Sequence, residues 1–268
     1  MEKLRLSQNA MQVLKKRYLL KNENGEVVES PLQMFRRVAK AIASTDENPK
    51  KSEKKFYELL TNLEFLPNSP TLMNAGTKLG QLSACFVLPV EDSLEGIFGA
   101  VLNMSLIQQS GGGVGFSFSH LRPRGDFVHS TMGIASGPVS FISVFDKATD
   151  VIMQGGRRRG ANMGILSVYH PDIIEFITAK KHESAFHNFN ISVGVDDEFM
   201  KNVVKKKEYW LVNPRTQRTV KKIPAAYVFD LIARTAWETG DPGLVFLDEI
   251  NRKNPTPHVG EIESTNPC

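Results

Sequence analysis

The chain has 268 residues, 41% hydrophobic and 23% charged, with a formal net charge of +4 and a pI of about 9.0. That is enough apolar material for a substantial core, while no run approaches the roughly eighteen uncharged apolar residues of a membrane-spanning helix and the N-terminus does not lead into a signal-peptide apolar region; a cytoplasmic location is expected. Two cysteines, Cys85 and Cys268, exclude a disulfide scaffold and leave each as either a small buried hydrophobe or a redox-active thiol.

In chain order, residues 1–64 read as a helical N-terminal segment. Ser7 can cap a helix carrying Ala10, Met11, Val13, Leu14 and Tyr18, and Asn24-Gly25 makes a tight turn. Ser30 is the expected N-cap of a second helix, with Pro31 as its first residue and Phe35, Val38, Ala39 and Ile42 on one face. A third is expected from Ser52, burying Phe56, Leu59, Leu60 and Leu63.

From residue 82 strands and helices alternate, which argues for an α/β architecture with parallel strands. Strands are expected at 85–90, 114–119, 163–169, 189–195, 209–212 and 243–247. Between them, Asp92 and Glu95 predict a capping-box start for a helix carrying Leu94, Ile97, Phe98, Val101, Met104 and Ile107, ended by Gly111-Gly112-Gly113. Further helices are expected at 138–153, with Phe141, Val144, Phe145, Ala148 and Ile152 inward, and at 172–180, 224–237 and 248–252.

Several segments could carry chemistry. Gly111-Gly112-Gly113-Val114-Gly115 could offer backbone N–H groups to a phosphate, or could simply end a helix and allow close packing; it lacks the spacing of a P-loop. Gln154-Gly155-Gly156-Arg157-Arg158-Arg159-Gly160-Ala161-Asn162 places three guanidiniums, which are bidentate phosphate donors, between glycines, and its bland reading is an exposed basic loop. The lysine runs 205–207 and 221–222 read as a solvated face. Two polar segments, 67–76 (Pro-Asn-Ser-Pro-Thr-Leu-Met-Asn-Ala-Gly) and Ser264-Thr265-Asn266-Pro267-Cys268, are each ordinary turns when taken alone.

Taken together with Leu82-Ser83-Ala84-Cys85-Phe86, the glycine triplet, the triple-arginine loop and Gly240-Asp241-Pro242-Gly243, in this order, these segments resemble the large catalytic subunit of ribonucleotide reductase from about residue 60 to the last. The wording of 68–76, 111–115 and 264–268 is most similar to the adenosylcobalamin-dependent class, and with so short a leader no regulatory ATP cone is expected. A class with a separate radical-generating subunit is the alternative within the family. The resemblance implies an α/β fold: residues 65–268 as the first half of a ten-stranded α/β barrel with a finger loop at its centre, incomplete at the C-terminus, after the helical segment 1–64.

It also implies roles. Cys268 stands where the thiyl-radical residue belongs, Cys85 where a reducing cysteine lies, and Asn266 where an asparagine hydrogen-bonds the ribose. Ser69, Ser83, Gly112 and Arg158 match substrate-side positions. Asp92, Ser93, Arg122 and Arg124 match the site for a deoxynucleoside triphosphate effector at a dimer interface. Implied partners are a ribonucleotide, that effector, a thioredoxin-like or glutaredoxin-like reductant, the remainder of a reductase chain and a second copy forming a homodimer; no metal ligand is implied, and adenosylcobalamin, the implied cofactor, is expected to be contacted mostly outside this chain. Because the sequence stops at Cys268, the isolated polypeptide is expected to be inactive, and an interruption by an intein would fit; sequencing peptides across residue 268 in the native host tests this. A competing reading is a non-catalytic nucleotide- or nucleic-acid-binding protein, predicting affinity that falls steeply with salt and ignores the base. Aromatic side chains do not interleave with the basic cluster as a single-strand platform requires.

Overall fold

The computed structural model describes residues 4–128, 132–152, 160–181 and 186–267. The described residues form two compact units, 4–84 with 110–112 in one, and 85–109 with the described residues from 113 onward in the other.

In the first unit, helix α1 (Gln8–Val13) is capped by the Ser7 hydroxyl and runs on as a π-helical turn, Leu14–Tyr18. Helix α2 (Pro31–Ala43) opens with the reciprocal Ser30–Gln33 capping box and Pro31 in the first turn, as expected. Helix α3 (Pro49–Thr61) starts earlier than Ser52 because the Asn48 side chain accepts from Lys51 N–H and Pro49 fits the first turn. A further short helix, α4 (Ser69–Asn74), occupies a stretch expected to be a turn; Asn68 caps it. Leu19, Met34, Phe35, Val38, Leu60 and Leu72 make the core of this unit. The half-buried Arg37 forks onto Glu29 (Nε–Oε1 2.7 Å, Nη2–Oε2 3.0 Å) and donates to the Leu72 and Ala75 carbonyls, satisfying the orphan acceptors where α4 ends.

The second unit is built on a parallel sheet. Strand β1 (Cys85–Leu88) leads to helix α5 (Leu94–Gln109), β2 (Gly113–Ser117), the two-residue strands β3 (Phe127–Val128) and β4 (Gly133–Ile134), helix α6 (Pro138–Val151) and β5 (Asn162–Ser167). Helix α7 (Ile173–Thr178), β6 (Phe189–Val195), helix α8 (Asp197–Val204), the hairpin β7 (Glu208–Val212) and β8 (Thr219–Pro224), helix α9 (Ala225–Thr239), β9 (Gly243–Phe246) and helix α10 (Leu247–Arg252) follow. The five parallel strands lie in the order β1-β2-β5-β6-β9, so each neighbour in space is the next parallel strand along the chain. That singly wound order is the one a barrel uses.

The sheet's two faces differ in chemistry. Register pairs Phe86 with Val114, Phe116 with Gly164 and with it Ile191, and Leu166 with Val193. Val114, Phe116, Leu166, Ile191 and Val193, with Phe118 and Phe189, meet the buried side chains Ile97, Met104, Ile142, Phe145, Val228 and Ile232 of the helices. Phe145 stands edge-on to Phe116 and Phe118, with ring centroids 4.8 and 5.4 Å away. The opposite face carries Cys85, Val87, Gly113, Gly115, Ser117, Met163, Ile165, Asn190, Ser192, Gly194, Gly243 and Val245, more than half of them small or polar. Alternation along each strand makes one face a hydrophobic floor and leaves the other open to whatever lies across it.

Three local expectations need correction. Helix α5 is capped by Ser93, whose hydroxyl accepts from Gly96 N–H at 2.9 Å, and Asp92 instead receives Arg122. The helix ends at Gln109, and Gly113 belongs to β2 rather than to the terminator. Along α6 the fully buried stripe is Ile142, Phe145 and Thr149, with Phe141, Val144 and Ala148 only half-buried beside it.

Candidate active site

The segment 261–267 after α10 lies against the small-residue face of the sheet. A Cβ added to Gly115 would collide with the Thr265 carbonyl, and one on Gly113 would come within 2.9 Å of Pro267 Cγ. The side-chain amide of Asn190 donates to the Pro267 carbonyl at 3.3 Å, and Ser264 is buried. β2 is therefore covered on both sides, and all five of its residues are buried. Here glycine is required by close backbone approach, and its positions in Gly113-Val114-Gly115 fall on the one face that receives the segment.

This geometry relates several of the residues singled out in the sequence. Cys85, half-buried at the start of β1, is the register partner of Gly113, which Pro267 covers. Asn266 passes over Gly115, its Cα 3.1 Å from where a Cβ would stand. Cys268 and Arg158, with the rest of 153–159, lie outside the described residues. Ser69, Ser83 and Gly112 belong to the helical unit. There Ser69 Oγ is 2.8 Å from the Tyr18 hydroxyl, Ser83 N–H donates to Gln81 Oε1 at 3.1 Å, and Gly112 is buried.

Beyond the end of β1 the structure brings Asp92 and Arg122 together. Arg122 Nε lies 2.9 and 3.1 Å from the two carboxylate oxygens, its backbone N–H donates to Oδ1 at 3.0 Å and Nη2 to the Asp92 carbonyl at 3.2 Å. Arg124 points the other way, to Glu175 at 3.1 Å, with its N–H on Asp172 Oδ2 at 2.8 Å. Each guanidinium thus already carries a carboxylate partner. A cavity of about 690 Å³ opens between 87–92, Ser117, His120 and 261–264. Its titratable groups are Glu91, Asp92, Glu261, Glu263 and His120, with His120 Nε2 2.9 Å from Glu263.

A buried polar knot ties the ends of α5 and α6 to the start of β5. Gln108 Nε2 donates to Asn162 Oδ1 at 2.9 Å and to Thr149 Oγ1 at 3.2 Å, and Asn162 Nδ2 donates to Thr149 Oγ1 at 2.8 Å. Among the described residues Gln108 Oε1 has no partner; it lies against Gly160, where an added Cβ would sit 3.0 Å from it. Deeper in the unit, His170 is held neutral: burial pushes its pKa down to about 4, outweighing the opposing pull of its hydrogen bond to the Leu121 carbonyl. Its Nε2 lies 2.8 Å from that carbonyl and its Nδ1 accepts from Asp172 N–H at 3.0 Å. Burial raises the Asp172 carboxyl, against the lowering pull of Arg124.

Asn190 and the His120–Glu263 pair escaped the sequence reading. The alternation Asn190, Ser192, Gly194 within a strand was a visible signal of a polar, small-residue face. Nothing in the sequence marks His120 and Glu263 as neighbours, because 143 residues separate them. Among the described residues no group of three or more His, Cys, Asp and Glu side chains is gathered for a metal ion, and no helix is long and apolar enough to cross a membrane.

Comparison with known proteins adds to the geometry. Residues 4–80 match the ribonucleotide reductase all-alpha domain and residues 83–268 the ribonucleotide reductase barrel domain. The chain is 49% identical to the vitamin B12-dependent ribonucleoside-diphosphate reductase of Thermoplasma acidophilum, over 99% of this chain and 42% of that protein. It is 51% identical to the protein of the same name from Mycobacterium tuberculosis (strain H37Rv), over 100% of this chain and 39% of the relative. It is also 31% identical to the ribonucleoside-diphosphate reductase subunit alpha of Helicobacter pylori (strain 26695), over 94% and 35%. The chain thus spans about two fifths of the length of its more similar relatives. With the all-alpha and barrel families matched in order along nearly its whole length, a parallel sheet wound like part of a barrel and a terminal segment seated on its glycine face, the chain belongs to the ribonucleotide reductase family.

Proposed function

We propose that the complete protein carrying this chain reduces ribonucleotides to deoxyribonucleotides, with its helical N-terminal part as a leader and its parallel-sheet part as the first half of the catalytic barrel. The observation that carries this reading is the seating of Thr265 and Pro267 on Gly115 and Gly113, which brings the residue before Cys268 onto the strand paired with Cys85.

On this reading Cys268, as a thiyl radical, takes a hydrogen atom from ribose C3′: an S–H bond forms as the C–H bond breaks, and the near-equality of the two bonds makes the step reversible. Cys85 and a second thiol then give up two hydrogens as the 2′-hydroxyl leaves as water, becoming a disulfide that an external thioredoxin-like or glutaredoxin-like dithiol reduces. Asn266 would hold the ribose, and Ser69, Ser83, Gly112 and Arg158 would line the substrate.

Relatives named as vitamin B12-dependent motivate adenosylcobalamin as the source of the radical. Its contacts are expected mostly in the part of the protein outside this chain, so no step is routed through it here.

Asp92, Ser93, Arg122 and Arg124 are proposed to receive a deoxynucleoside triphosphate effector at a homodimer interface. What supports a dimer is helix α5, whose Leu94, Phe98, Leu102 and Leu106 form an exposed stripe at four-residue spacing, each 51–60% exposed. We place the enzyme in the cytoplasm.

The test is production of deoxyribonucleotide by the complete protein supplied with a ribonucleotide, a dithiol and adenosylcobalamin. Cys268→Ala and Cys85→Ala are each expected to lower kcat by more than about 10³-fold, with substrate binding retained. Undiminished turnover in Cys268→Ala overturns the assignment.

A further inference from the structure

The segment 261–267 belongs to no helix or strand, so its path depends on specific contacts. At its root stands Asn251 of α10. The Asn251 Nδ2 group donates to the Ile262 carbonyl at 3.0 Å, and its Oδ1 accepts from Ile262 N–H at 2.7 Å. The same Nδ2 also donates to the Leu247 carbonyl at 2.9 Å, which ties the amide to its own helix. One planar carboxamide thereby satisfies both backbone groups of one residue, the service a neighbouring strand would provide. Only a side chain that donates and accepts from the same plane can do this; a carboxylate lacks the donor and an aliphatic side chain lacks both. The far hold is Asn190 on the Pro267 carbonyl, and between the two lie the contacts on Gly115 and Gly113.

Fixing both groups of Ile262 sets the point and direction from which the next residues leave. Residues 263–267 span at most roughly 17 Å when extended, so a change of direction at the root is carried directly to the tip. We propose that Asn251 is a positioning residue for the segment 262–267 that leads to Cys268, with Asn190 as the second hold. This rests on Cys268 being the radical residue.

In the complete protein, Asn251→Ala and Asn251→Asp are measured for kcat, KM, melting temperature and backbone amide exchange at Ile262. Expected for Asn251→Ala is exchange at Ile262 faster by about tenfold or more and kcat lower by roughly 10- to 100-fold, with KM within about twofold. Asn251→Asp keeps only the acceptor and is expected to protect the Ile262 amide partly while kcat stays low. Asn190→Ala, which releases only the far end, is the second variant should Asn251→Ala not fold; it is expected to lower kcat with Ile262 exchange unchanged. Faster exchange with unchanged kcat overturns the positioning role, and unchanged exchange overturns the clip itself. A wild-type protein that makes no deoxyribonucleotide overturns the functional reading, while the exchange measurement still decides the clip.

Discussion

At the scale of single residues, glycine does the most specific work. Gly115 is needed for the space its missing Cβ leaves to the Thr265 carbonyl. Gly115→Ala is expected to cost about 1–3 kcal/mol by overpacking and to raise amide exchange across 264–267, while the register partners Val87 and Met163 stay protected; exchange mass spectrometry checks this. His170 makes a second residue-scale prediction. Its folded pKa of about 4 lies below the ordinary 6.5, so the unfolded chain binds the proton first and stability is lost as pH falls from about 6.5 towards 4. The full effect is about 3 kcal/mol, and the raised Asp172 carboxyl opposes it at the acid end. Denaturant midpoints between pH 7 and 4 should therefore fall in the wild type, and His170→Gln should flatten that slope.

What the sequence allowed one to read at this scale was identity more than partnership. Cys85, Asn266 and Asp92 could be picked out by the segments they stand in, but the partner of each depends on chain crossings that spacing does not encode. Arg122 on Asp92, Asn190 on Pro267 and Asn251 on Ile262 all appear only once the strands are laid side by side.

At the scale of elements, legibility followed how cleanly a segment obeyed one period. β6 was read at its observed limits because Phe189, Ile191, Val193 and Val195 alternate with smaller residues. Helix α4 was missed because Asn68-Ser69-Pro70 is turn chemistry as well as helix-start chemistry, and only its length decides between them. Helix α8 was missed although Asp196 caps it through Phe199 N–H, and β8 was hidden by Lys221 and Lys222 on the exposed hairpin. Helix α5 has an apolar residue on nearly every face, so its moment is blurred; the structure separates Ile97, Ala100 and Met104 inward from Leu94, Phe98, Leu102 and Leu106 outward. Replacing Phe98 and Leu102 together with Glu is expected to shift the complete protein from dimer to monomer in sedimentation velocity, with its melting temperature little changed. A dimer that survives unaltered would remove α5 from the interface.

At the scale of the whole molecule, the alternation of strands and helices predicted a parallel α/β sheet, and that is what the second unit contains. The alternation in β6 hinted at a small-residue face, but what would cover that face was not legible, because 261–267 reaches it only through the fold. The consecutive strand order has a consequence for how the molecule is made. Each new parallel strand joins the edge left by the one just before it, so native pairings close over the length of a single crossover and never wait for a distant partner. During translation the sheet can therefore grow outward in step with the ribosome, one strand at a time. The stretch from 261 to 267 is synthesised after β9, and it emerges onto a floor whose glycine track is already in place.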